Sequence, residues 1–227
     1  MWFNTGDKHG QIEMNRLSNK YHPELKSLTK DDIVCILGDF GLFWSHTRTK
    51  EEEHWLNWLK GLPYTVCFVD GNHENHPMLK TFEEVDFLGG RAGKAYENIY
   101  HLKRGEIYSY QGHTIFTFGG AASHDKQTRF EHIDWWREEE ASYAEIEHAL
   151  ENLKNHNNQV EFVLTHTLPK SMLEEIGFKS YATCATATFL DNILDTVQFK
   201  QWYSGHLHIQ HISGKFNMMY HNIKRMI

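Results

Sequence analysis

Proline is scarce, 4 in 227 residues, and no stretch is rich in Gly, Pro or Ser. Nothing therefore reads as a linker or a low-complexity tail, and a single domain over residues 1–227 is expected. Three cysteines are too few for a disulfide framework. Cys35 and Cys67 sit inside apolar runs and read as buried, reduced thiols. Cys184, in a small-residue stretch, carries no readable message. Long apolar runs are absent too. Ile33–Leu37 and Val66–Val69 are far too short to span a bilayer, so no membrane is expected. The start, MWFNTGDKHG, lacks the basic-then-apolar pattern of a signal peptide. A cytoplasmic location follows by elimination. Positive charge is in deficit, with 23 Lys and Arg against 30 Asp and Glu, a net charge of −7. No Lys/Arg stripe offsets it, which makes a long nucleic acid a poor partner. The sequence does not indicate an oligomeric state.

What is present is histidine, 17 in all, among an α/β pattern of segments. Five apolar runs read as strands: Trp2–Thr5, Asp32–Leu37, Tyr64–Val69, Val160–Thr165 and Trp202–Ser204. The second, third and fourth are β-branched and nearly continuous, as strands buried on both faces require. The first is short, and its edge is expected to be weakly anchored. Thr49–Leu59 carries Trp55, Leu56 and Leu59 on one helical face. Ser142–Glu145 is a capping-box pattern ahead of Ile146, Ala149, Leu150 and Leu153. Leu168–Gly177 and Thr186–Val197 are further expected helices. Ile99–Phe118, with Gly105 and the Gln111-Gly112 pair, reads as an antiparallel hairpin or meander. Phe216–Ile223 also alternates.

The residues after the strands carry the chemistry. Trp2–Thr5 runs into Asp7-Lys8-His9, and Asp32–Leu37 into Gly38-Asp39. Tyr64–Val69 runs into Asp70-Gly71-Asn72-His73-Glu74. Val160–Thr165 ends at His166, and Trp202–Ser204 runs into Gly205-His206-Leu207-His208. Ligands of layered α/β folds bind beyond the carboxyl ends of strands. Imidazole nitrogens with carboxylate and amide oxygens suit Mn, Fe, Co, Ni or Zn. Seven such side chains exceed what one ion needs, and a carboxylate can bridge two. Two carboxylates against two dications leave a positive surplus that attracts phosphate oxygens. Paired ions also lower the pKa of a bound water to about 7.

This ordered set, from Gly6 to His208, resembles the calcineurin-like metallophosphoesterases. The resemblance implies a four-layer α/β/β/α sandwich with mixed β-sheets. It also implies two divalent metal ions, with manganese favoured. Asp7, His9, Asp39 and His208 would hold one ion. Asp39, Asn72, His166 and His206 would hold the other, with Asp39 bridging. His73 would face the substrate and protonate the leaving oxygen as the metal-activated water attacks. The stretch Gly119–Lys126 is similar to one in an uncharacterised bacterial and phage branch of that family. Phosphoprotein phosphatases of the superfamily carry Gly-Asp-x-Val-Asp-Arg-Gly and Gly-Asn-His-Glu-Ser-Arg. This chain has Phe43-Trp44 and Asn75-His76 in the corresponding stretches, so both phosphate-gripping arginines are missing. Lys8 also departs, because the family usually has an apolar residue there.

The other residues have blander readings. Of the twelve other histidines, His46 and His124 are candidates for lining the cleft, and the rest, His76, His101 and His148 among them, read as packing or surface residues. Asp70 reads as a turn residue, and Glu74 as a group that orients a neighbour. The runs Glu51–Glu53 and Glu138–Glu140 read as solvated helix starts. Phe43 and Trp44, directly after a ligand turn, are candidates for a wall beside a nucleobase, though packing is the simpler use. His124, Lys126 and Arg129 are candidate substrate contacts after a Gly-Gly turn. The expected function is a phosphoesterase acting on a small phosphodiester or nucleotide. The alternatives are a phosphomonoesterase or protein phosphatase, or a non-catalytic scaffold of the same fold. A scaffold would have no need of the complete ligand set plus His73.

Overall fold

The computed structural model describes residues 1–227. In chain order the first six strands are β1 (Trp2–Thr5), β2 (Ile33–Leu37), β3 (Thr65–Val69), β4 (Glu83–Phe87), β5 (Gly90–Tyr96) and β6 (Ile99–Leu102). Then come β7 (Ile107–Tyr110), β8 (His113–Phe118), β9 (Phe162–Thr165), β10 (Gln201–Ser204), β11 (His211–Ser213), β12 (Phe216–Met218) and β13 (Lys224–Arg225). The helices are α1 (Lys50–Lys60), α2 (His76–Leu79), α3 (Tyr143–Asn155), α4 (Lys170–Glu175) and α5 (Ala185–Thr196). Seven strands form one sheet in the order β13-β1-β2-β3-β6-β5-β4, and six form a second in the order β11-β12-β10-β9-β8-β7. Both are mixed. β1, β2, β3 and β6 run parallel in the first sheet, and β8, β9, β10 and β12 in the second.

The continuous apolar runs resolve into two faces with period two. From β2, Val34 and Ile36 enter one core while Ile33, Cys35 and Leu37 enter another. The first core holds Leu56 and Leu59 of α1 together with Met14, Leu17 and Leu25 from 3-10 turns. The second lies between the sheets, where Cys67 and Val69 meet Ile115, Leu164 and Tyr203. A third core packs Phe116, Val163 and Trp202 against Leu153 of α3, Leu173 of α4 and Leu190 of α5. Three apolar interfaces separate four layers, the expected α/β/β/α order.

Both capping boxes form. Thr49 and Glu52 close one at α1, and Ser142 and Glu145 close the other at α3. Cys35 and Cys67 are buried, free and paired in register across β2 and β3. Cys184 has a use the sequence did not announce: its Sγ accepts from Ala187 N at the start of α5. The segment Ile99–Phe118 is not one hairpin. β6 belongs to the first sheet, Gly105 turns the chain at φ 81°, and β7–β8 open the second sheet. The Gln111-Gly112 turn does close β7–β8, with φ 50° and 83°. Strands β4 and β5 have no counterpart in the sequence reading. The edge of β1 is not bare either, because β13 pairs with it in the register Phe3↔Arg225.

Candidate metal centre

The carboxyl ends of the parallel strands of both sheets open onto one rim. Close approach there depends on glycine. A Cβ on Gly38 would lie 2.0 Å from His166 Nδ1, and one on Gly71 would lie 2.1 Å from Asp39 Oδ1. The turns themselves are strained. His9, Asp39, His206 and His208 have φ of 43°, 49°, 68° and 51°, four of nine non-glycine residues in the left-handed region. Such backbone persists where the surrounding structure over-determines it, commonly at functional sites.

The rim gathers two groups of donors that share Asp39: Asp7, His9, Asp39 and His208, and Asp39, His166 and His206. In the first, His9 Nε2 and His208 Nε2 are 3.0 Å apart. Asp7 Oδ2 lies 3.0 Å from His208 Nε2 and 3.9 Å from His9 Nε2. Asp39 Oδ2 lies 3.7 Å from His9 Nε2. In the second, His166 Nε2 is 3.5 Å from Asp39 Oδ1 and 3.1 Å from Asn72 Oδ1. His166 Nδ1 donates to the Leu37 carbonyl at 2.8 Å. In the neutral ring this leaves a lone pair on Nε2, aimed at two oxygens. His206 Nε2 is buried without a hydrogen-bond partner. Converging lone pairs and an orphaned buried nitrogen cost free energy by themselves. A cation between them relieves that cost, so the donor set fits divalent metal.

Electrostatics agree. Burial pushes the Asp39 carboxyl up, but the imidazoles of His166, His73 and His9 outweigh it and hold it at about 2. Burial likewise opposes ionisation of Asp7, and the hydrogen bond from His208 overcomes it. That bond raises His208, whereas burial drives His206 well down, into the neutral form that ligates metal. His73 stands outside both groups. Its backbone N–H donates to Asp39 Oδ1 at 2.8 Å. Its ring centroid is 5.2 Å from that of His9 and 5.5 Å from that of Trp44. Burial lowers its pKa, against the pull of Asp39.

The outer candidates divide. Trp44 is half-buried beside His73. Phe43 is not at the cleft. It is 2% exposed in the core, stacked with Phe40 and Phe68 and edge-on to Phe82. Consecutive residues leaving a turn point to opposite sides, and Trp44 takes the cleft. Arg129 does reach the site, its Nη1 3.4 Å from His73 Nδ1, while Nε and Nη2 grip Asp125 at 2.8 Å each. The exposed Lys126 pairs with Glu140 at 3.2 Å. The exposed His124 packs its ring 5.2 Å from Tyr181, which in turn lies 5.0 Å from His206.

Several supporting residues gave little or misleading signal in the sequence. Asn72 Nδ2 donates to Ser123 Oγ at 3.1 Å, and Ser123 donates from Oγ and N to Glu139 at 2.6 and 2.8 Å. The serine proton is thus committed to the carboxylate, which turns Asn72 Oδ1 toward His166. Glu139 is fully buried, not part of a solvated helix start. Glu52 is buried too, as the capping-box acid of α1. Glu74 orients the turns by accepting from Gly41 and Gly71 N–H. Asp70 is more than a turn residue, since Arg104 binds it at 2.6 and 2.8 Å and His101 at 3.0 Å. Lys8 is fully buried, and its ammonium donates to the carbonyls of Asp7 and Tyr220 at 3.2 Å each. The Tyr220 ring stacks on His208 at 4.6 Å and 5°.

No helix is long and apolar enough to cross a membrane. A search among curated protein sequences finds no match. Among solved structures, the chain is similar to a phosphopantetheinyl hydrolase from Mycobacterium tuberculosis. That match has 18% identity, covers 96% of this chain and 89% of the other, and has a TM-score of 0.44. A likeness at that level carries no functional argument. The family model of the calcineurin-like phosphoesterases matches residues 4–210, which include every donor on the rim. The chain belongs to the calcineurin-like phosphoesterase family.

Proposed function

We propose that the protein is a two-metal phosphoesterase that hydrolyses a small phosphodiester or nucleotide, with His73 as general acid. The observation that carries this is Asp39, whose two oxygens face two separate donor groups. One ion would be held by Asp7, His9, Asp39 and His208, and the other by Asp39, Asn72, His166 and His206. Such a pair, when bound, supplies positive charge to phosphate oxygens and acidifies water. The chain's own residues do the rest. The Asp39 carboxylate and the Glu74-held turns fix the donors. His73, outside the donor set, is placed to give its proton to the leaving oxygen.

Charge supports a diester. A phosphomonoester dianion is usually met by arginines that bind its oxygens bidentately. At the two positions where phosphoprotein phosphatases place them, this chain has Phe43 and His76, both buried. Arg129 is near, but its fork is occupied by Asp125, which leaves only Nη1 toward His73. Two dications alone neutralise a monoanionic diester.

Elemental analysis of protein saturated with Mn²⁺ and freed of excess should find close to two ions per chain. The decisive comparison is kcat/KM for bis-nitrophenyl phosphate and 2′,3′-cyclic nucleotides against nitrophenyl phosphate and a phosphopeptide. One ion or none would overturn the two-metal reading. Clear preference for the monoester or the phosphopeptide would overturn the diester reading.

A further inference from the structure

Beside the rim, a cavity of about 320 Å³ opens against His9 and His73. Trp44, Leu42 and Ile12 give it an apolar wall. The Trp44 ring is buttressed edge-on by Trp136, with centroids 4.9 Å apart. Ile12 is 70% exposed, an apolar side chain left bare at the mouth. The wall contains no Lys or Arg, and its charged residues are Glu51 and Glu52. Glu52 is committed to the N–H groups of Trp44, Ser45 and Thr49. Glu51, in the first turn of α1, is exposed. The other flank of His73 is formed by the Arg129 guanidinium, which lies against Nδ1 and is paired with Asp125. His73 thus divides an ion-paired flank from an aromatic, acidic one.

We infer that this cavity is the leaving-group subsite, and that it selects esters of a flat, apolar alcohol bearing no charge or a positive charge. The inference rests on the proposed phosphoesterase reading. Hydrolysis joins a water oxygen to phosphorus and breaks the bond to the leaving oxygen, which takes its proton from His73. The leaving alcohol must therefore lie against His73, and the cavity is the space there. Its volume is at the small end of ligand sites. A nucleoside or aryl alcohol finds the Trp44 face and the Ile12 and Leu42 side chains. A leaving group that is itself a phosphate or carboxylate finds the Glu51 carboxylate and no Lys or Arg in the cavity wall, so polyphosphate chains are disfavoured.

The test uses metal-loaded protein and three methyl aryl phosphates. Their leaving phenols carry a trimethylammonium, a neutral or a carboxylate substituent, and each rate is divided by its uncatalysed rate. The cationic and neutral esters should exceed the anionic one in kcat/KM by about three- to tenfold at low salt, and the gap should close as salt is raised. Glu51→Lys should invert the cation-to-anion ratio, and Glu51→Gln should bring it near one. Trp44→Ala should cut the preference for aryl over alkyl leaving groups by roughly tenfold, the scale of one ring–base stack. If all three esters are hydrolysed with equal efficiency and Glu51→Lys leaves the ratio unmoved, the subsite assignment is wrong while the phosphoesterase reading stands. If none is hydrolysed, the phosphoesterase reading fails and the inference falls with it.

Discussion

Asn72 can serve as a metal ligand only if its carbonyl, not its NH2, faces His166, and Glu139 is the residue that decides which. Ser123 spends both its protons on Glu139, so its oxygen can only accept, and Asn72 must present Nδ2 to it. Glu139→Gln removes an acceptor and the charge behind it. The Ser123 hydroxyl is then free to donate to an amide oxygen, and Asn72 can turn its NH2 inward. Loss of a hydrogen bond to a charged group is worth about 1.5–3 kcal/mol. Loss of an orienting partner behind a ligand typically weakens metal binding by about 10–100-fold. These agree, since 100-fold is about 2.8 kcal/mol. The assay is a titration of Co²⁺ or Mn²⁺ into chelator-stripped protein against a competing chelator. Two binding steps are expected. The step belonging to Asp39, Asn72, His166 and His206 should weaken by the stated range, and the step belonging to Asp7, His9 and His208 by less than about threefold. Ser123→Ala should act in the same direction. The thermal midpoint of the metal-free variants separates a local effect from unfolding. If both steps keep wild-type affinity in both variants, the orienting role is refuted.

Asp39→Asn should be the most damaging ligand change, because one side chain serves both donor groups; bound metal and turnover compared with His9→Ala check this, and retention of two ions with near-normal rate would exclude a bridge. His73→Ala should keep both metals and slow hydrolysis by roughly 10²–10⁴-fold. That loss should shrink for nitrophenyl leaving groups, and a loss of equal size on poor and good leaving groups would remove the acid role. Asp70→Asn should cost about 3–5 kcal/mol by removing the buried charge opposite Arg104, whose remaining carboxylate partner is the more exposed Glu145, a fall in Tm of roughly 6–20 °C for a chain of this size. Burial opposes ionisation of Asp70, but Arg104 and His101 hold its carboxyl far below the usual carboxylate range. Its stabilisation is therefore present above the unfolded value near 3.9 and is lost as pH falls through the folded value. The gap between wild type and Asp70→Asn should narrow below about pH 4 in melts of metal-free protein, and a gap constant with pH would contradict the assignment.

The strands that carry the rim donors are legible because their signal is local. A β-branched run of five residues followed by Gly-Asp or Gly-Asn-His says strand, stop and donor within ten positions. The continuity of β2 and β3 also foretold burial on two faces, and both faces exist. Strands β4 and β5 were illegible for a physical reason. Glu83–Phe87 is charged and mostly exposed at the sheet edge, so no alternating apolar face marks it. The passage of Ile99–Phe118 from one sheet to the other was hidden as well. Gly105 announces a break, but a break has the same local chemistry whether the chain turns back on its own sheet or crosses to the next.

The inner donors and their supports show the same divide within a few ångströms. Asp7, His9, Asp39, Asn72, His166, His206 and His208 each follow a strand, and strand ends converge by topology, so adjacency in space could be inferred from order in sequence. Glu139 acts on Asn72 across 67 positions, and it sits in a Glu-Glu-Glu run whose commonest use is solvation. Tyr220 stacks its ring on His208, and its carbonyl accepts from Gly6 N, Thr5 Oγ1 and Lys8 Nζ together. That contact explains the lysine that departs from the family pattern. Its ammonium does not enter the donor group. It ties the first motif to the chain near Tyr220, and that tie holds an aromatic face flat against the most exposed of the donors. A residue that looked anomalous beside Asp7 is thus a support acting at one remove. Its partner is 212 positions away, too far for any local pattern to have shown it.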